Sequence, residues 1–387
     1  MVLAGHASRG RVPFAFAVIV PIIYRALTLQ GKDGKDCRLL PLSKALYQGT
    51  QALFNPAAAY DDRNGWVMIL RYDHCYVGED CSLSDWTTRS FFAHLGDGSV
   101  PDTERAGSTL QILSVPHEVH PQAAAVLAAN RTVAGDSRPF FFNQRLYLAH
   151  WWYSPEDAPP KVLQGISRVD TNTLQVQKTR IFRELGGKQV DQRVEKNWAW
   201  VQDNSRLLLF YKVLPTTAIY SLLNKEAEPV LHAVHTLQPS AHARLFAVTE
   251  LNLSSHVHNS GHPVRWPVRQ GQRAQYFAMV HQRVASQHGH GNYTHWGVRI
   301  DRVTMRVTSI SSPVISAAQF KPTGFKDIAL IVGSYHILPA GEAGRALRLF
   351  FGLGDKFSCA EDIRLSQLRW HLVCGRDYGV TSLPSAC

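Results

Sequence analysis

The sequence predicts an all-β fold, and three observations predict it. One module recurs along the chain: a polar head, a short turn, then a run of large apolar residues. Short strand-like pieces separate the copies, and no long amphipathic helical pattern interrupts them. The 9 Trp, 13 Tyr and 17 Phe suit β structure and flat binding surfaces.

The chain opens on an apolar run at residues 12–23, VPFAFAVIVPII, broken by Pro21 and preceded by Arg9 and Arg11. It is shorter than the ~20 residues that span a bilayer. A basic flank before a short apolar core reads as a signal or signal-anchor segment; a buried strand is the other reading. Sequons at Asn130, Asn252 and Asn292 favour the secretory route. The expected location is the secretory pathway or a membrane-anchored lumenal site, with the cytoplasm as the alternative. The six cysteines, Cys37, Cys75, Cys81, Cys359, Cys374 and Cys387, form no CxxC pair, so a structural zinc site is not expected. Their even number permits disulfides.

The first module spans residues 53–73. Asn55-Pro56 reads as a turn or strand start, the DDRNG segment at 61–65 as a hairpin turn, and 66–72 as a strand with Arg71 near its end. In the second, at 135–151, Asp136 and Arg138 head an aromatic strand; the turn Asn143-Gln144-Arg145 follows, then a strand at 146–151. The third, 194–211, is the clearest. Glu195, Lys196, Asn197 and Trp198 precede the turn Gln202-Asp203-Asn204-Ser205, and 207–211 reads as a buried strand. The fourth, 271–283, places a strand after a glycine-containing turn, and His281 ends it where Arg71 ends the first. The fifth, 319–355, contains DIALIVGSY and ALRLFFGLGD. Strands therefore begin near Trp66, Leu146, Leu207, Tyr276 and Ile328. Five modules of several short strands predict a five-bladed β-propeller with a central-channel active site. A β-sandwich with irregular insertions is the competing arrangement. The expected organisation is an N-terminal segment at 1–30, the propeller at 31–374 and a tail at 375–387.

Four segments carry a resemblance. Phe54-Asn55-Pro56 is followed by a strand ending in Arg71; Asp136-Ser137-Arg138 stands in the second blade; Lys196-Asn197-Trp198 in the third; Gly352-Leu353-Gly354-Asp355 in the last. In order and spacing this resembles the five-bladed propellers of the β-mannoside phosphorylase and β-mannosidase group, glycoside hydrolase family 130, and related propeller glycosyltransferases. The second-blade segment departs from the family's D-P-R, with Ser137 in place of Pro and a Pro at 139. The resemblance implies a carbohydrate-active enzyme acting on β-linked mannosides or similar hexosides by phosphorolysis, glycosyl transfer or hydrolysis. A non-catalytic glycan-binding propeller is the alternative.

Glycosyl transfer needs an acid for the leaving oxygen and a nucleophile on the opposite face. The resemblance points to Asp136 as general acid, with Glu195 as the second carboxylate, positioning hydroxyls or acting as base. Substrate contacts are expected from Asn55, Arg71, Arg138, Lys196, Asn197, Trp198, His281 and Asp355. Arg71, Arg138 and Lys196, if convergent, make an anion site for inorganic phosphate or a sugar-nucleotide diphosphate as co-substrate. Trp198 and Trp200 either stack on sugar faces or belong to the core. The histidines between 256 and 295 lack metal-ligand spacing, so neither metal nor cofactor is expected. The net charge is +11, but the cations are scattered and no nucleic-acid motif is present. The expected partner is an oligosaccharide or glycan, not nucleic acid, with membrane contact only through the N-terminal segment.

Overall fold

The computed structural model describes residues 29–30, 36–39, 51–74, 87–103, 111–112, 134–154, 161–182, 184–186, 188–189, 197–222, 229–237, 257–268, 270–284, 292–316, 330–339, 345–353 and 357–373. Two N-terminal strands, β1 (Leu29–Gln30) and β2 (Asp36–Leu39), precede the first blade. Blade one is β3 (Gln51–Asp61), β4 (Gly65–His74), β5 (Thr87–Gly96) and β6 (Gln111–Ile112). Blade two is β7 (Ala134–Phe142), β8 (Arg145–Ser154), β9 (Lys161–Asp170) and β10 (Gln175–Phe182). A short pair, β11 (Glu184–Leu185) and β12 (Lys188–Gln189), leads to blade three: β13 (Ala199–Asp203), β14 (Arg206–Lys212), β15 (Thr216–Leu222) and β16 (Val230–Thr236). Blade four is β17 (Val257–Trp266), β18 (Gln275–Val284), β19 (Asn292–Asp301) and β20 (Val307–Ser316). Blade five has β21 (Leu330–Ile337), β22 (Ala346–Leu353) and β23 (Phe357–Arg364), and β24 (Trp370–Leu372) ends the series.

Each blade is an antiparallel meander in sequence order. The first strands β3, β7, β13, β17 and β21 touch their neighbours around a closed ring. The chain is thus a five-bladed β-propeller. Its ends are tied into the ring: β2 pairs with β23 through Arg38↔Ala360 and Leu39↔Cys359, and β24 pairs with β20. Buried Cys359 is disulfide-bonded. Residues 12–23 and the sequons at Asn130 and Asn252 lie outside the described residues. No helix among the described residues is long and apolar enough to cross a membrane.

The apolar runs that mark the modules are the second strands of the blades, and their burial explains their composition. In β14, Leu207 and Leu209 pack toward blade two while Leu208 and Phe210 pack toward blade four. In β4, Val67 and Ile69 meet blade two, and Trp66, Met68 and Leu70 meet blade five. A strand covered on both faces reads as a continuous apolar run rather than an alternation. Among the described residues the core is accordingly divided into five clusters, one in each seam between neighbouring blades. The fifth module needs one correction. The segment beginning near Ile328 is the inner strand β21, and the counterpart of the other apolar strands is β22, ALRLFFGL. Gly333 stands at the bulge of β21, so this module lacks the polar head that marks the first three copies.

Candidate active site

The inner strands are interrupted at matching places. In β3, Phe54 pairs with Arg71 and Ala57 with Ile69, leaving Asn55 and Pro56 opposite one residue. In β7 the same irregularity falls between Gly135 and Arg138, leaving Asp136 and Ser137. β17 slips between Ser260 and Val264, and β21 between Val332 and Ser334. Asn197 occupies the matching place just before β13. Asn55, Asp136, Asn197 and Gly261 all have positive φ, at 49°, 51°, 70° and 70°. Left-handed backbone is tolerated best by Gly and by Asn or Asp, which accounts for these residue types. A bulge bends its strand and re-aims the side chain, so Asn55-Pro56 is a bulge within β3 rather than a turn.

These bulges bring part of the expected site together. Asp136 Oδ1 accepts from Asn55 Nδ2 and from Arg71 Nη1, both at 3.1 Å. Its Oδ2 accepts from Trp151 Nε1 at 3.1 Å. The Asp136 side chain is 26% exposed and that of Arg71 14%. Burial raises the Asp136 pKa, but the Arg71 charge, the Trp151 bond, the Arg138 charge and the Asn55 bond outweigh it and hold it at about 2. Asp136 is therefore an anion at neutral pH.

Arg138, 5% exposed, donates through Nη2 to Asn197 Oδ1 at 2.8 Å. Its Nη1 is buried and has no hydrogen-bond partner among the described residues. Burial pulls its pKa down and the Asp136 charge pushes it up. The same guanidinium depresses the pKa values of His262, His281 and His295, so these side chains share one electrostatic neighbourhood. Asp136, Arg71 and Arg138 together leave the described cluster with net positive charge.

His281 joins this neighbourhood from β18. Trp198 does not serve as an exposed platform: it is 2% exposed and packs against Phe182 and Tyr211 in the seam between blades two and three. Trp200 is buried in the same cluster. Glu195, Lys196 and Asp355 lie outside the described residues, so the expected pair of carboxylates is represented by Asp136 alone. No group of three or more metal-ligating side chains occurs among the described residues.

Several residues of the site were not singled out from the sequence. Trp151 in β8 holds the register position that Arg71 holds in β4, each opposite the residue before its bulge. That shared offset was the available signal. His262 accepts the Trp200 amide at Nδ1 (2.9 Å) and donates from Nε2 to the Arg138 carbonyl (3.3 Å), joining three inner strands. The Tyr335 hydroxyl accepts the Met279 amide at 2.9 Å, and burial raises its pKa. Nothing local in the sequence marks His262 or Tyr335, because their partners are distant in the chain.

No protein-family model matches the sequence, and no curated protein matches it. Among solved structures, the chain is similar to a GDP-Man-dependent mannosyltransferase from Leishmania mexicana: TM-score 0.49 and 9% identity, over 81% of this chain and 86% of that one. It is also similar to a mannose phosphorylase from Leishmania mexicana in complex with phosphate ion: TM-score 0.47 and 10% identity, over 82% and 85%. A third similarity is to the catalytic domain of a GH62 α-L-arabinofuranosidase from Coprinopsis cinerea: TM-score 0.40 and 11% identity, over 87% and 96%.

Proposed function

We propose that the channel mouth is the active site of a carbohydrate-active enzyme that transfers a β-linked mannosyl or similar hexosyl group to or from an anionic co-substrate. The observation that carries this reading is ionised Asp136 bonded to Arg71 with the Arg138 charge beside it, the buried Nη1 of Arg138 having no hydrogen-bond partner among the described residues. Among the described residues, a single carboxylate does not use the charge of both guanidiniums. Inorganic phosphate or a sugar-nucleotide diphosphate would, through charge-assisted hydrogen bonds to Arg71 and Arg138. Lys196, next to Asn197 in sequence, is the third expected cation.

The same charges explain how Asp136 could act as an acid. Held at about 2, its carboxyl keeps no proton at neutral pH. An anion drawn to Arg71 and Arg138 competes for their charge and adds a negative neighbour, and both effects raise the Asp136 pKa. In the phosphorolytic direction, protonated Asp136 gives its proton to the leaving glycosidic oxygen. A phosphate oxygen bonds to the anomeric carbon as the carbon–oxygen bond breaks. In the synthetic direction Asp136 takes the proton of the acceptor hydroxyl. Asn55 and Trp151 fix the carboxylate plane.

The test is incubation of the full chain with β-1,4-mannobiose and inorganic phosphate, or with a mannose nucleotide sugar and mannose, followed by product analysis. Phosphate-dependent sugar 1-phosphate identifies a phosphorylase; product from the nucleotide sugar alone identifies a transferase. Asp136→Asn is expected to lower turnover by ~10²–10⁴-fold; full activity in that variant would sink the mechanism. A second reading, non-catalytic glycan binding, is favoured by the three donors that already hold Asp136. It predicts binding to a glycan array without turnover and little effect of Asp136→Asn on affinity.

A further inference from the structure

Blade four carries a row of three imidazoles that the mechanism above does not use. His258 on β17 pairs in register with His281 on β18, which pairs in turn with His295 on β19. Ser260 Oγ lies 2.7 Å from His281 Nδ1 and 3.0 Å from His295 Nδ1. His295 Nε2 lies 3.0 Å from the Leu330 carbonyl of blade five. His295 and Ser260 are fully buried.

The direction of each bond follows from one end. A carbonyl oxygen only accepts, so His295 carries its proton on Nε2. Burial and the Arg138 charge hold the His295 pKa at about 4, against the opposing effect of the Leu330 bond, so at neutral pH its Nδ1 is a bare acceptor. Ser260 therefore donates its hydroxyl proton to His295 Nδ1. The Ser260 oxygen is then left to accept, and His281 must donate to it from Nδ1. His281, neutral because burial and its charged neighbours push its pKa well down, has no proton left for Nε2. His281 is 3% exposed, no described residue hydrogen-bonds its Nε2, and it stands between the half-buried rings of His258 and Tyr293 at 5.6 and 5.5 Å.

We propose that His281 is a hydroxyl-recognising residue of the channel, its ring fixed by the relay from the Leu330 carbonyl through His295 and Ser260 so that Nε2 accepts a hydrogen bond from the ligand. Among the described residues no group hydrogen-bonds His281 Nε2, and Arg138 Nη1 is buried without a partner. A sugar hydroxyl can donate to a bare Nε2 and can also accept from a guanidinium N–H. A fully ionised phosphate oxygen fills the donor and leaves the acceptor unmet. The occupant rests on the sugar reading of the site; the relay does not.

The relay is tested by 15N NMR of the histidine rings in the full chain at pH 7. The expected result is His281 protonated at Nδ1 and His295 at Nε2, with Ser260→Ala allowing both tautomers of His281. An Nε2-protonated or cationic His281 in the unsubstituted chain overturns the proposal. The contact is tested with methyl β-D-mannoside as probe. Its addition should shift the His281 Nε2 resonance. His281→Asn, which keeps an atom near Nδ1 but loses the acceptor, should weaken binding about five- to tenfold, the worth of one hydrogen bond. His281→Gln, whose carboxamide oxygen can take the place of Nε2, should restore most of it. Binding that leaves His281 unshifted, or an Asn variant that binds as well as the unsubstituted chain, overturns the contact. If the unsubstituted chain does not bind the mannoside at all, the sugar reading and the hydroxyl contact fall together, while the tautomers still decide the relay.

Discussion

Asp136 holds two jobs that can be separated at the level of single residues. As an anion bonded by Arg71, Trp151 and Asn55, it ties blade one to blade two. Its folded pKa, about 2, is below the ordinary 3.8, so its contribution is present above the unfolded value and is lost as pH falls from about 4 toward 2. Asp136→Asn should therefore cost about 1–2 kcal/mol at neutral pH, a constant offset between roughly pH 6 and 8 in urea unfolding. An unchanged midpoint would mean that the ion pair contributes nothing net. Gly352 separates positioning from stability more sharply. A Cβ there would lie 2.3 Å from Asn55 Oδ1 and 3.0 Å from Asn55 N, so Gly352→Ala must move Asn55 and with it one of the bonds on Asp136. The expected outcome is at least about a tenfold loss of turnover from misplacement of the carboxylate. Gly98→Ala, with its nearest atom 3.7 Å away, is the matching control and should have no effect. Equal activity in the two variants would remove Asn55 from the positioning of Asp136.

At the scale of elements, the bulge is the device that builds the site, and its backbone requirement can be tested apart from its hydrogen bonds. Asn197 has φ of 70° and accepts from Arg138. Asn197→Gly keeps the backbone and loses the bond; Asn197→Ala loses both. The alanine variant should be less stable than the glycine variant by about 1 kcal/mol, read as a difference in unfolding free energy, because only the former bears the left-handed penalty. Equal stabilities would mean that the backbone rearranges there. The same device explains what the sequence disclosed. Second strands such as β14 and β22 were legible because both faces are buried, giving unbroken apolar runs. The turns at 61–65 and 202–205 were legible from their Asp, Asn and Gly. Inner strands were obscured because a bulge breaks their pattern, so Asn55-Pro56 read as a turn or strand start and β21, with Gly333 at its bulge, read as the main strand of its module. The polar heads Asn55, Arg71, Asp136 and Arg138 were nevertheless found, since charged or amide side chains beside apolar runs stand out. The Leu330, His295, Ser260 and His281 relay was not, because it depends on strand register across two blades.

For the whole molecule, the ring is held by apolar seams and by polar links that use neutral histidines. His262 joins blade four to blades two and three, His295 joins four to five, and His336 donates to the Ala58 carbonyl at 2.8 Å and joins five to one. His150 is bonded to Ser167 within blade two, and His281 to Ser260 within blade four. Burial pushes the pKa values of all five down, to about 3 for His150 and His262, about 4 for His295 and His336, and well below 6.5 for His281. The unfolded chain, with histidines near 6.5, takes up protons before the folded chain does. Stability from these groups is therefore complete above about pH 6.5 and is lost as pH falls toward the folded values. Each histidine charged only in the unfolded state contributes a slope of about 1.4 kcal/mol per pH unit, so five act together as roughly 7 kcal/mol per unit near pH 5. Against a usual total of about 5–15 kcal/mol, the propeller should unfold on mild acidification, between about pH 6 and 4, before Asp136 takes up its proton at about 2. Thermal or urea midpoints measured from pH 7.5 to 4.5 should be level above about pH 6.5 and fall steeply below it. His336→Asn, if its amide donates to Ala58 in place of the imidazole, should make that fall shallower by one proton's worth. Midpoints unchanged from pH 7 to 5 would mean that the imidazoles protonate inside the folded ring, and that the links between blades do not require them neutral.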